Sequence, residues 1–256
     1  MHLNFKKVGE NGPALIILHG VFGLLDNWLS ISKTIADAGY TLYLVDQRNH
    51  GRSPHEEPMD YPTFAADLAE FITQQNLETP VLIGHSMGGK TVMEYAVNHP
   101  GTYDKLVIVD IGPKQYPIHH RKILQGLNTI DLATVHNRQD ADDQLSPFEP
   151  SLAVRQFLLK NLYREEDGSF GWRFNLPVLT SDMPKIGAAI ETDTPVQVPT
   201  LFIRGEKSNY ILDEDWEDIL KIFPAARLET IRDAGHWVQA EQPKAFLKVL
   251  LEFLEE

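Results

Sequence analysis

The sequence predicts an α/β fold, a mostly parallel, doubly wound sheet with helices on both faces. Three observations predict it. Short runs rich in Val, Ile and Leu recur along the chain, segments with helical apolar spacing separate them, and one run ends in a glycine-flanked serine, LIGHSMGGKT at 82 to 91. The runs ALIILH (14 to 19), TLYLVD (41 to 46), PVLIG (80 to 84), KLVIVDI (105 to 111) and PTLFIRG (199 to 205) are near-continuous, as parallel strands covered on both faces require. ARLETIR (226 to 232) is less continuous and closes the series. Between them, Phe64, Leu68, Phe71 and Ile72 share one helical face. Thr91, Val92, Tyr95 and Ala96 continue a second helix after the serine, and WEDILKIF and KAFLKVLLEFL supply two more. Strand alternating with helix gives the doubly wound reading. The opening HLNFKKVGENGP reads as charged and turn-rich.

The rhythm breaks between residues 113 and 198, where helix-like pieces such as RKILQGLN and SLAVRQFLLKNL replace buried-strand runs. So long a stretch exceeds what a loop holds without structure of its own. The expectation is a core made of residues 1–112 and 199–256, with a mainly helical cap inserted at 113–198. Within the cap, Asp167-Gly168 is placed to turn a short hairpin, with Trp172 and Phe174 on one side.

Composition narrows the function classes. The 256 residues, 43% of them hydrophobic, suffice for one large domain with an insert. Against 23 basic residues stand 36 acidic ones, a formal charge of −13, so nucleic acid meets net repulsion and is not an expected partner. With no cysteine, disulfides and thiolate chemistry are excluded. The charged opening is not expected to act as a secretory signal, and there is no apolar run of about 18 residues to span a membrane; a cytoplasmic location is the expectation. No metal or cofactor is expected, because no ligand cluster with metal spacing is present.

Gly84-His85-Ser86-Met87-Gly88 matches G-x-S-x-G between a buried strand and an amphipathic helix, the context that gives this motif its meaning. Small residues two before and two after the serine let strand and helix pack closely on a sharp turn, holding the hydroxyl clear of the sheet. The helix N-terminus behind it offers backbone N–H groups to a developing oxyanion. The bland alternative is a serine that merely caps a helix. A serine nucleophile needs a base. Of ten histidines, His236 in RDAGHWVQAEQP follows the last predicted strand, at the carboxyl edge where open α/β sheets bind ligands. His119 and His120 fall in the insert, His99 at a helix end, and His2 and His136 in surface segments.

The order serine, acid, histidine is the one that separates α/β-hydrolases from other serine triads. LHGVFG with Trp28, DQRNHGRS, GHSMGG, VDIGP and AGHW, in that order, resemble the α/β-hydrolase superfamily over essentially the whole chain. DQRNHGRS, GHSMGGK, VDIGP and WRFNLPVL together resemble its narrower YbfF-like esterase group and that group's mitochondrial relatives. The resemblance implies a cofactor-free serine hydrolase.

The superfamily's commonest acid would stand where this chain has Ser208 in RGEKSNY. Asp110, closing the strand KLVIVD, is the expected substitute, as in some superfamily members, unless it only caps a turn; Glu206 and Asp213 are the other candidates. Oxyanion N–H donors are expected from Met87 and, by resemblance, from Val21 in His19-Gly20-Val21-Phe22-Gly23, with Phe22 one step away. His19 reads as a brace for that loop. In DQRNHGRS, Asp46 and Arg48 read by analogy as ties between loops, and His50 as structural. Phe22, His85, Trp172, Phe174 and Trp237 are candidate substrate-binding residues; for the three latter aromatics an ordinary core role weighs equally. Arg173 and Asn175 either orient a substrate carbonyl or fix the cap.

The expected reaction is hydrolysis of a small-molecule carboxylic ester or thioester through an acyl-enzyme, with Ser86, His236 and Asp110 as the triad; the resemblance extends the substrates to acyl-CoA. C–C bond hydrolysis or a lyase step on the same fold is the enzymatic alternative, and an inactive binding module is the alternative from another class. Intact Ser86 and His236 favour chemistry.

Overall fold

The structure is a computed structural model, and it describes residues 1–117 and 120–256. His119 lies outside the described residues. In chain order the first half holds β1 (Phe5–Val8), β2 (Ala14–Leu18), α1 (Leu29–Asp37), β3 (Thr41–Val45), α2 (Tyr61–Gln74), β4 (Val81–His85), α3 (Met87–Asn98) and β5 (Leu106–Val109). Next come α4 (Arg121–Thr129), α5 (Arg138–Leu145), α6 (Leu152–Leu159), the hairpin β6 (Leu162–Arg164) and β7 (Phe170–Trp172), and α7 (Leu176–Ile186). The chain ends with β8 (Thr200–Gly205), α8 (Trp216–Ile222), β9 (Ala226–Ile231), α9 (Val238–Glu241) and α10 (Pro243–Leu254).

Seven strands form one sheet in the order β1-β3-β2-β4-β5-β8-β9. All pairs are parallel except β1 with β3. The continuous apolar runs have a direct cause in the two faces. Leu15, Ile17, Leu42, Leu44, Ile83 and Val107 pack with α1 and α10, whereas Ile16, Leu18, Val45, Leu82 and Ile108 pack with α2 and α3. Both neighbours in the sequence are therefore buried. Phe64, Leu68, Phe71 and Ile72 all face that second layer, each worth on the order of 1.5–3 kcal/mol relative to exposure. At the margin, β9 is only partly buried over most of its length, which explains its weaker pattern.

One strand departs from expectation. FKKV, read as turn-rich, pairs antiparallel with β3, Phe5 opposite Val45 and Val8 opposite Leu42. Its exposed Lys6 and Lys7 are what an edge strand uses to discourage further pairing, and they hide the strand from a search for apolar runs.

Residues 113–198 contain α4, α5, α6, the two-stranded hairpin and α7 among the described residues. Gly168 turns the hairpin at φ +89, pairing Leu162 with Trp172. Apolar side chains of this segment, among them Leu127, Leu158, Phe174, Leu179 and Met183, join the same core cluster as the α2/α3 face of the sheet.

Candidate active site

Ser86 stands between β4 and α3 at φ 53 and ψ −118, a region an L-residue occupies only when its surroundings impose it. The glycines impose it by absence. A Cβ on Gly84 would lie 2.2 Å from the Gly88 carbonyl oxygen, and one on Gly88 would lie 2.5 Å from the Leu18 carbonyl oxygen. Strand, turn and helix thus touch backbone to backbone. The Ser86 N–H donates to the Val109 carbonyl at 3.0 Å and its own carbonyl accepts from Lys90 N–H at 3.1 Å, so the turn is anchored at both ends. Met87 is the first helical residue, where N–H groups have no intrahelical acceptor.

His236 follows β9, and its Nδ1 lies 2.7 Å from an Asp110 carboxylate oxygen. Asp110 is fully buried at φ +52 just beyond β5. Its carboxylate also accepts from Gly205 N–H at 3.0 Å and from the Ser208 hydroxyl. The position where the superfamily's commonest acid would stand therefore holds a donor to Asp110. Glu206 instead accepts from Asp233 N–H at 2.9 Å, and the exposed Asp213 pairs with Arg204 at 2.6 Å. The His236 ring is packed rather than loose. Tyr210 stacks on it with ring centroids 4.0 Å apart and planes at 20°, while Tyr116 Oη donates to the Tyr210 carbonyl at 2.5 Å and accepts from Gly112 N–H at 2.8 Å. His85, the residue before the nucleophile, donates its Nε2–H to the His236 carbonyl at 2.8 Å. Burial is the main reason the His85 pKa falls well below 6.5.

The loop after β2 approaches this turn closely, since a Cβ on Gly20 would lie 3.1 Å from Ser86 Cβ. Two buried histidines hold it. His19 Nδ1–H donates to the Gly20 carbonyl at 2.8 Å and its Nε2 accepts from Gln47 N–H at 3.1 Å. His50 Nδ1–H donates to the Arg48 carbonyl at 2.9 Å, and its Nε2 accepts the Phe22 N–H at 3.2 Å. Burial pushes His19 down to about 4 and His50 down to about 3, so both act as neutral struts. Asp46 accepts from Leu25 and Arg52 N–H at 2.8 and 3.0 Å. Arg48 forms a buried two-point pair with Asp67 at 2.5 and 2.9 Å. Lys90, also buried, donates to the carbonyls of Lys114, at 2.7 Å, and Ala188, tying α3 to both ends of the 113–198 segment.

Two cavities meet at Ser86. One of about 660 Å³ is lined by Phe22, His85, His236 and Trp237 among others; a smaller one of about 40 Å³ is lined by Val21, Met87, Tyr61 and Met183 among others. Trp172 and Phe174 line neither. They stack on one another at 5.1 Å, and Phe174 meets Phe22 edge-on at 5.7 Å, so they back the cavity wall from the core. Arg173 lies over the Tyr163 ring at 3.7 Å, and Asn175 caps α7 while donating to Asn49 Oδ1 at 3.0 Å. These are fixing contacts. His120 lines both cavities. His2, His99 and His136 stay outside both linings; His2 lies 3.1 Å from Gln74 and His99 stacks on Tyr95.

Tyr210, Tyr116 and Asn161 carry no motif. Asn161, fully buried, donates to the Phe22 carbonyl at 2.8 Å across 139 positions, and only the fold brings such pairs together.

A family described as alpha/beta hydrolase fold matches residues 13–243. The chain is 37% identical to an sn-1-specific diacylglycerol lipase ABHD11 of Danio rerio over 98% of its own length and 81% of the relative's. It is 36% identical to Esterase YbfF of Escherichia coli K12 over 96% of this chain and 95% of that one. A solved marine microorganism esterase superposes with a TM-score of 0.95 at 46% identity, covering 98% of each chain. With a strained serine after β4 and a buried carboxylate on the histidine after β9, this chain belongs to the alpha/beta hydrolase fold family, among its carboxylic ester hydrolases.

Proposed function

We propose that Ser86, His236 and Asp110 form the catalytic triad of an esterase working through an acyl-enzyme. The observation that carries this reading is the 2.7 Å contact of His236 Nδ1 with buried Asp110, His236 itself lining the same cavity as Ser86. Asp110 fixes the proton on Nδ1 and leaves Nε2 as base. His236 takes the Ser86 hydroxyl proton while Oγ bonds to the acyl carbon, and the carbonyl electrons move to oxygen. The oxyanion is met by the N–H groups of Met87 and Val21; Phe22 is set aside as a donor because its N–H is engaged by His50. As the intermediate collapses, the bond to the leaving oxygen or sulfur breaks and His236 protonates it. Water repeats the sequence and releases the acid. Residues 113–198 serve as the cap: α6 supplies Val154 and Phe157 to the larger cavity, and α7 supplies Met183 to the smaller.

Both oxygen esters and thioesters suit this route. The test is modification by a fluorophosphonate together with steady-state ester hydrolysis. The wild type is expected to be labelled at Ser86, and Ser86→Ala to lose labelling and about 10³-fold or more in kcat with the fold intact. Hydrolysis by Ser86→Ala at a near wild-type rate refutes the assignment.

A further inference from the structure

We propose that the two cavities divide the substrate, the smaller taking the acyl chain and the larger the leaving group, so that preferred substrates are esters of short acids with bulky, uncharged alcohols. This rests on the triad reading above. His236 must protonate the leaving oxygen, so the leaving group lies where His236 lies. Of the two cavities at Ser86, the larger contains His236, while Met87 lines the smaller. The acyl chain is left with the smaller one.

Size then sets chain length. A space of about 40 Å³ compares with roughly 10–15 Å³ needed for one water on the same measure, so it accepts about three to four carbons. Its walls are firm. Tyr61 donates its hydroxyl to the Ile186 carbonyl at 2.6 Å, Tyr116 is held at both lone pair and proton, and Met183 is buried. The larger space of about 660 Å³ falls within the range that encloses a drug-sized group. Its lining includes Trp28, Phe157 and Trp237, with Asp26, Glu149 and Glu241 against Lys160 as charged groups. That excess of carboxylates disfavours a leaving group bearing several phosphates, such as coenzyme A.

The experiment measures kcat/KM for 4-nitrophenyl esters from acetate to palmitate, and for acetyl-CoA against S-acetyl-N-acetylcysteamine, an uncharged alkyl thioester with the same reacting end. Wild type is expected to lose at least about 10-fold between butyrate and octanoate, since methylenes that fit or fail to fit a pocket are each worth about 10- to 200-fold. It should also prefer the uncharged thioester by about 10-fold or more. Met183→Ala should raise the octanoate-to-butyrate ratio by about 10-fold; Ile186→Ala provides the same readout if that variant folds poorly. Wild type favouring octanoate or palmitate, or both variants leaving the ratio unchanged, overturns the division while the esterase reading stands. A preference for acetyl-CoA overturns the uncharged leaving group. Failure to hydrolyse any ester, with Ser86 unlabelled by fluorophosphonate, overturns both readings.

Discussion

Replacing Asp110 by Asn alters one atom and reverses the proton logic of the site. The Asp110 carboxylate accepts from three donors, Gly205 N–H, the Ser208 hydroxyl and His236 Nδ1. An asparagine can still accept from Gly205, but its NH₂ then faces His236. The imidazole must accept there, which places its proton on Nε2, the nitrogen that acts as base in the proposed mechanism. The backbone tolerates the change, because Asn enters the left-handed region at φ +52 as readily as Asp. The expected cost is about 10²- to 10⁴-fold in kcat, about 3 to 5 kcal/mol of barrier. Stability should fall by about 1–3 kcal/mol for the disturbed buried hydrogen bonds. The assay is steady-state ester hydrolysis at saturating substrate, with a thermal melt to verify folding. Asp110→Asn retaining kcat within about threefold would show that His236 is oriented by something else.

Two further predictions concern the scaffold. His19 and His50 have folded pKa values near 4 and 3 against 6.5, so below 6.5 the unfolded chain binds more protons; stability should fall as pH drops from about 6.5 towards 4, by up to about 1.4 kcal/mol per unit for each histidine. Urea unfolding of wild type and His50→Gln across that window checks it, and equal slopes would refute it. Gly88→Ala should lose about 1–3 kcal/mol in chemical denaturation and most activity, because its Cβ would meet the Leu18 and His19 carbonyls at 2.5 and 2.7 Å; unchanged stability would contradict the close packing.

Five of the seven strands of the main sheet were legible because burial on both faces writes itself as unbroken apolar sequence, and the partly buried β9 was legible only as a weaker run. β1 was not legible, since an edge strand with one neighbour keeps charge. The Ser86 turn was equally plain in its glycines, because no side chain fits between Gly84 and Gly88. The role of Ser208 was half legible: the residue marks where an acid is missing, but its bond to Asp110 spans 98 positions. Tyr210 and Tyr116, which hold His236, and Asn161, which holds the Phe22 loop, left no pattern at all, since an aromatic or an amide reads alike in a core and beside a site. Trp172 and Phe174 illustrate the converse. Their spacing was right for one side of a hairpin end, yet only packing shows that Phe22 stands between them and the cavity.

In the proposed mechanism Ser86 carries the acyl group between the two half-reactions. Acid-quenched digestion and mass spectrometry of the enzyme turning over 4-nitrophenyl acetate would trap it there. An acetyl group is expected on the peptide containing Ser86 and none in Ser86→Ala; an acetyl group on another residue, kept in Ser86→Ala together with turnover, would overturn the mechanism.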